Sequence, residues 1–288
     1  MIEELHEKKL RDLEEKAVEA RKLVIKSLYE AGSGHPGGSL GMTDIFIAFY
    51  FHILHHDPKN VDLPDRDRLI LSNGHICPIR YVCMAMAAFF PISELKTLRK
   101  INSRLQGHPH RTALPGVETT SGPLGEGISQ GIGIALAARL DKKNYQTYVL
   151  ASDGEHEEGN TWEAIMLAAK EKLNNLTVII DRNNIQIDGR TEEIMPLESL
   201  RAKYEAFNWE VLEVDGHNIR TFIDTIREAL AVHEKPTVII AHTIPGKGVS
   251  FMENDYKWHG KTPDKEQTEI ALKELDDFEK KLKNKHYA

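Results

Sequence analysis

The chain has 288 residues, of which 41% are hydrophobic and 28% charged, with a formal net charge of −7 at pH 7. Such a chain can bury a substantial core without disulfides, and its acidic balance argues against nucleic-acid binding, which needs a basic surface. No apolar run approaches the roughly 20 residues that cross a bilayer, and the charged N-terminal segment does not resemble a signal peptide. The two cysteines, Cys77 and Cys83, fit small buried residues in a reducing, cytoplasmic compartment.

The first part of the chain is predicted to be mainly helical. Apolar residues at helical spacing predict a helix over residues 3–31, which stops at a glycine-rich stretch. A second helix is predicted over 43–54, with Thr43 as its N-cap, and a third over 76–89. Between the second and third helices, residues 66–72 are predicted to form a short buried strand.

From residue 125 onwards, helical and strand patterns alternate. We predict helices over 125–140, 158–172, 197–207 and 220–233, and strands over 146–152, 176–181, 209–215 and 236–244. Alternation of this kind implies a parallel sheet that is covered by helices on both faces. We therefore expect a single doubly wound α/β domain over residues 1–288, with a helical N-terminal start. A charged tail helix over 264–285 is expected to form a solvated or docking face.

Polar residues follow two consecutive strands of the predicted sheet. Asp153 and Gly154 come after one strand and Asn183 after the next, so we expect these side chains to lie side by side at the carboxyl edge, where such sheets bind ligands. Carboxylate, amide and carbonyl oxygens suit Mg²⁺ or Ca²⁺. The spacing alone leaves an alternative open, an ordinary turn before a solvated helix start. Glu155 and Glu157 are expected to be helix-dipole partners or solvated residues.

Several segments together resemble the transketolase family. The DG pair, followed thirty positions later by an asparagine, each behind an apolar strand, resembles the thiamine-diphosphate motif. The segments that narrow the resemblance are AGSGHPGGSLG (31–41), HHDPKNVDLPDRDRLILSNGH (55–75), QGHP (106–109), TTSGPLGEGISQGIG (119–133), SDGEHEEGNTWEA (152–164), RNNIQIDG (182–189) and VDGHN (214–218). The resemblance extends from about residue 10 to residue 260 and implies the thiamine-diphosphate-binding fold.

The resemblance implies a site for thiamine diphosphate and Mg²⁺, with Ca²⁺ as the alternative metal. It implies that Asp153 and Asn183 supply side-chain oxygens to the metal and that Ile185 supplies its carbonyl. The other residues implied at the cofactor are Gly154 at the diphosphate, Gly122 and Leu124 at the aminopyrimidine, Ile187 packed against the cofactor, His75, His259, and Glu158 at the interface between two active sites.

Four histidines match the family's histidines around the diphosphate and substrate: His35, His75, His108 and His259. Thiamine is the electron sink, so the protein is expected mainly to position and protonate. Histidine with its ordinary pKa can give and take protons at neutral pH. The alternative for each is an ordinary turn histidine, and it is strongest for His259, because the match there is only the short WHG.

The sequence departs from the family at one residue and in length. Ser152 stands where the family usually has glycine, and serine prefers negative φ, so the turn must tolerate it. A full transketolase continues into a pyrimidine-binding domain and a C-terminal domain, and neither follows residue 288. We therefore expect the N-terminal subunit of a split transketolase, although a truncated chain is the alternative.

The expected activity follows from the resemblance. The chain would transfer a two-carbon ketol unit between sugar phosphates, and only with a separate C-terminal subunit, as an α2β2 assembly. Two alternatives remain open from the sequence. One is a related split enzyme for an unusual or sulfonated sugar, and the other is a non-catalytic homologue that binds a partner.

Overall fold

Parallel strands form the central sheet of the structure, a computed structural model that describes residues 2–287 and the side chains of residues 2–284. The strands are β1 (Arg68–Leu71), β2 (Thr147–Ser152), β3 (Leu176–Arg182), β4 (Ile185–Gln186), β5 (Gly189–Arg190), β6 (Glu210–Asp215) and β7 (Thr237–His242). The sheet order is β1-β2-β3-β7-β6, while β4 and β5 form a separate antiparallel pair. Each neighbouring pair in the main sheet is parallel, which confirms the predicted parallel sheet.

Every helix predicted from the sequence is found, with ends that differ by a few residues. The helices are α1 (Glu7–Ala31), α2 (Pro36–Gly41), α3 (Thr43–Ala48), α4 (Cys77–Met86), α5 (Glu126–Leu140), α6 (Gly159–Lys170), α7 (Thr191–Ile194), α8 (Leu200–Ala206), α9 (Ile219–Leu230) and α10 (Lys265–Tyr287). A π-helical turn over Phe49–Ile53 extends α3 to the predicted length. The short helices α2 and α7 were not predicted.

The two faces of the sheet contribute to two separate hydrophobic cores. Side chains alternate along a strand, so Tyr148 and Leu150 of β2 enter one core and Val149 and Ala151 enter the other. The first core contains residues of α1, α3, α4, α9 and α10. The second contains residues of α5, α6 and α8. Helices therefore cover both faces, which confirms the doubly wound α/β architecture.

The prediction of Thr43 as a helix N-cap is wrong. Helix α2 is followed by α3 with one residue, Met42, between them, and Met42 takes the N-cap position. The Thr43 hydroxyl donates to the Ser39 carbonyl at 2.9 Å, back into the preceding helix. The physical reason is that an unpredicted helix precedes Thr43, so the start of α3 is not a free helix end.

The tail helix α10 packs along α1. Ala271 and Leu275 are fully buried, and Lys22 of α1 contacts Asp276 at 2.5 Å and Glu279 at 2.6 Å. Of the two roles expected for the tail helix, docking is therefore the one observed within the chain. Within residues 2–287, no helix combines the length and the apolar content that crossing a membrane requires.

Candidate active site

The carboxyl ends of β2 and β3 bring the predicted metal-binding segments together. Ser152 pairs with Asp181 in the sheet register. The backbone N–H of Asp153 donates to the Asp181 carbonyl at 3.2 Å, and the N–H of Asn184 donates to Asp153 Oδ2 at 2.8 Å. Asp153 therefore lies directly beside the turn that carries Asn183, as the pairing of consecutive strands predicts.

Asp153 is completely buried, and its carboxylate pairs with the guanidinium of Arg182, a residue that the sequence pattern did not indicate. Arg182 Nη1 donates to Asp153 Oδ2 at 3.0 Å, and the Gly154 N–H donates to Oδ1 at 2.8 Å. Burial raises the pKa of Asp153 to about 6, although the Arg182 charge acts in the opposite direction. Arg182 also contacts Glu192 at 2.6 Å and Glu198 at 2.8 Å. Its signal in the sequence is a charged pair, Asp181 and Arg182, at the end of a mostly apolar strand.

Asn183 is oriented by a second buried carboxylate. Its Nδ2 donates to Asp181 Oδ2 at 2.9 Å, and the Ile185 N–H donates to Asn183 Oδ1 at 3.0 Å. The hydroxyl of Thr243 donates to the other oxygen of Asp181. Burial raises the pKa of Asp181 to about 7. These contacts turn the Asn183 amide nitrogen towards Asp181 and leave its oxygen on the side of Ile185.

The donor set fits a hard divalent cation. It comprises the Asp153 carboxylate, the Asn183 amide oxygen and the carbonyl of the buried Ile185, all oxygen ligands of the kind that Mg²⁺ and Ca²⁺ take. Oδ1 of Asp153 accepts one N–H, from Gly154, and retains acceptor capacity. Among the described side chains of residues 2–284, no group of three or more His, Cys, Asp or Glu could hold a metal. A cation at this edge therefore depends on the amide and carbonyl oxygens as well.

Four other predicted cofactor residues lie on loops around this edge. Gly122 approaches His108, since a Cβ on Gly122 would stand 3.8 Å from His108 Cδ2. Gly154 begins a 3-10 turn over Gly154–Glu157. Leu124 and Ile187 are 37% and 64% exposed, so in the isolated chain their side chains face outwards.

A close approach of two loops requires a glycine at residue 74. A Cβ on Gly74 would stand 2.3 Å from Ser121 Oγ, closer than real atoms pack, and 3.2 Å from the backbone nitrogen of Gly122, which is a tight contact. The turn that carries His75 therefore packs directly on the loop over 119–125. This contact places the predicted aminopyrimidine loop next to the histidine turn.

The four predicted histidines converge. Their ring centroids are 5.1 Å apart for His35 and His75, 6.4 Å for His35 and His108, 5.6 Å for His35 and His259, and 5.0 Å for His75 and His259. The four come from segments far apart in the chain. His259 joins the cluster although its sequence match is short.

Burial lowers the pKa of all four imidazoles. For His35 the pKa falls to about 3, and the charges of His259, Arg99 and His108 act in the same direction as burial. The Arg99 guanidinium, which the sequence analysis missed, donates to the Gly107 carbonyl at 3.2 Å. Lowered pKa values keep the four rings neutral at pH 7, so each ring offers one N–H donor and one acceptor nitrogen.

The expectation that Glu155 is a solvated or dipole-paired residue is wrong. Its side chain is fully buried, because the 3-10 turn after Asp153 points it inwards beneath the loop over 119–125. Burial raises the pKa of Glu155, while the hydrogen bonds that it accepts, from Ser72 first, act in the opposite direction. Glu157 is half-buried and accepts from Gln186 Nε2 at 3.0 Å. The exposed Glu158 is the N-cap residue of α6.

The backbone at Ser152 does not need glycine. Ser152 is the last residue of β2 and is paired in register with β3, so its backbone is extended, a conformation that serine adopts without strain. The turn therefore tolerates the departure from the family pattern.

Comparisons with a family model and with known proteins both point to transketolases. The family model described as transketolase, thiamine diphosphate binding domain, matches residues 13–281. One of the subunits of the apulose-4-phosphate transketolase of Phocaeicola vulgatus is 41% identical, over 95% of this chain and 97% of that protein. The 6-deoxy-6-sulfo-D-fructose transketolase subunit SqwG of a Clostridium species is 39% identical, over 92% of this chain and 96% of that protein.

A solved structure agrees on the fold. The transketolase of Campylobacter jejuni superposes with a TM-score of 0.82 at 31% identity, over 95% of this chain and 48% of that chain. The present chain therefore spans about half the length of that transketolase. These matches confirm the resemblance that the motifs indicated.

Proposed function

Because the chain belongs to the thiamine-diphosphate-binding domain family of transketolases, we propose that it is the N-terminal subunit of a two-chain transketolase. The reaction is the transfer of a two-carbon ketol unit between sugar phosphates. The observation that carries this proposal is the convergence of four histidine rings in a domain whose β2 and β3 carry a hard-oxygen donor set at their carboxyl ends. The near full-length similarity to chains named as transketolase subunits supports the two-chain form.

The cofactor in this proposal is thiamine diphosphate with Mg²⁺, or with Ca²⁺ as the alternative. Bound thiamine supplies the electron sink for breaking and forming the carbon–carbon bond. The residues that would hold the metal are Asp153, Asn183 and Ile185, and those that would hold thiamine diphosphate are His75, Gly122, Leu124, Gly154, Ile187 and His259. Chain 1–288 would act as one domain that contributes this half of the cofactor pocket.

The histidines of this chain would hold and move protons. The pKa values of the rings in this chain by itself lie below the ordinary value that the sequence analysis assumed, so the rings alone are weak bases. An anionic ligand beside them would raise these pKa values, and each ring could then take a proton from a sugar hydroxyl or give one from its N–H. The buried Nδ1 of His35 has no hydrogen-bond partner in the described part of the chain, so it is free to serve a ligand. We assign proton transfer to His35, His75, His108 and His259.

An apolar surface supports assembly with further chains. Leu140 of α5 is 81% exposed and Met166 of α6 is 57% exposed. Helix α5 carries apolar residues around its whole circumference, which is typical of a helix that is buried on all sides. We propose that partner chains cover this surface in an α2β2 assembly, with Glu158 at the contact between the two active sites. Free, buried Cys77 and Cys83 are consistent with a cytoplasmic enzyme.

A second candidate is the same transfer on an unusual sugar. Two relatives that match over nearly their whole length are named for apulose 4-phosphate and for 6-deoxy-6-sulfo-D-fructose. Turnover assays with these two sugars beside common ketose phosphates distinguish this candidate from the first.

The test is reconstitution with the C-terminal subunit, sought first in the neighbouring reading frame. With thiamine diphosphate and Mg²⁺, we expect ketose phosphate turnover by the two chains together and none by this chain alone. Turnover by this chain alone would contradict the two-chain proposal.

Asp153→Ala tests the metal site. We expect this variant to lose Mg²⁺-dependent cofactor binding, measured by calorimetry with the partner present, because the only carboxylate of the donor set is removed. Asp224→Ala, at an exposed position on α9, is the matched control. Unchanged cofactor affinity in Asp153→Ala would remove this residue from the metal site.

A further inference from the structure

Three segments of the candidate site meet at one buried carboxylate, that of Glu155, which has no exposed surface. Its Oε1 accepts from Ser72 Oγ at 2.5 Å and from the Gly125 N–H at 2.8 Å. Its Oε2 accepts from the Ser152 N–H at 2.8 Å and from the Ser152 hydroxyl at 3.4 Å. The donors belong to the residue after β1, the loop over 119–125 and the end of β2.

Only a carboxylate satisfies this arrangement. All four partner groups are donors, and an ionised carboxylate is an acceptor-only group with about four lone-pair sites. In either orientation a glutamine would direct its NH₂ group at a backbone N–H, that of Gly125 or that of Ser152, which would then lose its acceptor. Hydrogen bonds to an ionised group are also about twice as strong as neutral ones.

Each of the three residues that donate to Glu155 is close in sequence to a proposed cofactor residue. Ser72 is three residues before His75, Gly125 directly follows Leu124, and Ser152 directly precedes Asp153. The Gly127 N–H also donates to Ser72 Oγ, at 3.1 Å, so the start of α5 is tied to the same carboxylate. A change at Glu155 therefore displaces the histidine turn, the aminopyrimidine loop and the metal turn together.

The same contact accounts for Ser152. The serine hydroxyl supplies the fourth donor to the carboxylate, a bond that a glycine at this position would lack. The backbone of Glu155 is held as well, since Thr161 Oγ1 donates to its carbonyl at 2.6 Å. Ser152 therefore holds the carboxylate mainly through its N–H, at 2.8 Å, and its hydroxyl adds a longer and weaker contact at 3.4 Å.

We propose that Glu155 is a positioning residue, whose carboxylate holds the three loops that surround the cofactor in the geometry that binding requires. It acts through Ser72, Gly125 and Ser152 and does not itself touch substrate or cofactor. The proposal rests on the proposed function, because that function assigns the three loops to the cofactor.

The principal test is Glu155→Gln in the complex with the partner subunit. Loss of a charge-assisted hydrogen bond at a buried site is expected to weaken thiamine diphosphate binding about 10- to 100-fold, measured by calorimetry, and to lower kcat as well. Glu163→Gln, the same change at an exposed position on α6, is the control and is expected to match the wild type. A folded Glu155→Gln protein with wild-type cofactor affinity and kcat would overturn the proposal.

A second measurement separates this proposal from the proposed function. In the ¹⁵N spectrum of the full chain without cofactor, Glu155→Gln is expected to shift the Gly125 and Ser152 amides, and Glu163→Gln is not. If wild-type protein shows no cofactor binding, the proposed function fails, while these amide shifts still report whether the carboxylate holds the loops. Unshifted amides would overturn the positioning role.

A milder variant covers the case in which Glu155→Gln does not fold. Ser72→Ala removes one of the four donors and keeps the charge, so a smaller loss of cofactor affinity is expected, about 3- to 10-fold. Ser152→Ala removes only the longest of the four bonds, so it is expected to lose less cofactor affinity than Ser72→Ala. Wild-type affinity in Ser72→Ala would overturn the proposal.

Discussion

Two histidines in this structure, His217 and His35, have opposite surroundings. The Nε2 of His217 accepts from the Ile244 N–H at 2.8 Å, so its Nδ1 carries the proton and donates to Asp44 Oδ2 at 2.9 Å. Both ring nitrogens are therefore used inside the protein. The buried Nδ1 of His35 has no such partner in the described structure, and its ring faces three other imidazoles.

This difference supports the proposal that His35 serves a ligand while His217 is structural. Buried polar groups are nearly always hydrogen-bonded, so a satisfied ring such as that of His217 needs no ligand. The carboxylate beside it is satisfied too, since Arg21 donates to Asp44 Oδ1 at 3.1 Å and to Oδ2 at 2.6 Å. The polar atom left without a partner at His35 is available to a ligand, as the proposed function requires.

The largest effect is expected for His35→Gln. Turnover with the partner subunit should fall about 100- to 10,000-fold, the usual worth of a proton-transfer group. The melting temperature should change little, because the buried Nδ1 has no hydrogen-bond partner to lose in the described part of the chain. Steady-state kinetics and thermal unfolding of the same sample measure both. If His35→Gln were destabilised but kept its turnover, His35 would be a structural residue like His217.

Asp44→Ala tests the structural role of His217, whose ring donates to this carboxylate. Removing this carboxylate leaves the buried Arg21 charge uncompensated and takes away the acceptor of His217, so the free energy of unfolding should fall by about 3–5 kcal/mol. Urea denaturation measures the loss. Asp224→Ala, which removes an exposed ion pair with Arg227, should change stability by less than about 1 kcal/mol. Equal effects of the two substitutions would contradict the structural role of the Asp44 cluster.

Lowering the pH is expected to reduce the free energy of unfolding by a smaller amount. Burial alone would raise the pKa of Asp44, but the Arg21 charge and the His217 hydrogen bond lower it to about 2, below the ordinary 3.8. A lowered carboxyl pKa stabilises the fold fully above about pH 4, and this contribution is lost as pH falls towards 2. The loss amounts to about 2 kcal/mol. Urea midpoints between pH 6 and pH 2.5 should show it in the wild type, and Asp44→Ala should lack this part of the slope.

The sheet and the placement of its polar edge could be predicted from the sequence, because both depend on local patterns. Apolar runs gave the strands, and the pairing of consecutive strands placed Asp153 beside Asn183. The burial of Glu155 could not be predicted in this way. An acidic residue at a helix start is usually solvated, and the loop that covers Glu155 lies about thirty residues earlier in the chain.

The histidine cluster shows the same limit. The motif resemblance assigned its members, but their convergence depends on the tertiary fold, and so does the position of Arg99 near two of them. Thr43 is not an N-cap because the glycine-rich stretch before it forms helix α2. The local sequence of that stretch did not indicate a helix. Contacts between distant segments decide each of these cases.

The sheet order has a consequence for synthesis of the chain. Strand β7 is made after β6, yet it lies between β3 and β6. The strands β1, β2 and β3 can pair in the order in which they are made, whereas β6 joins the sheet only through β7. Until residue 242 has left the ribosome, the open edge of β3 presents unpaired backbone groups, which favour association with other chains. We therefore expect this edge to be the part of the sheet most open to association while the chain is being made.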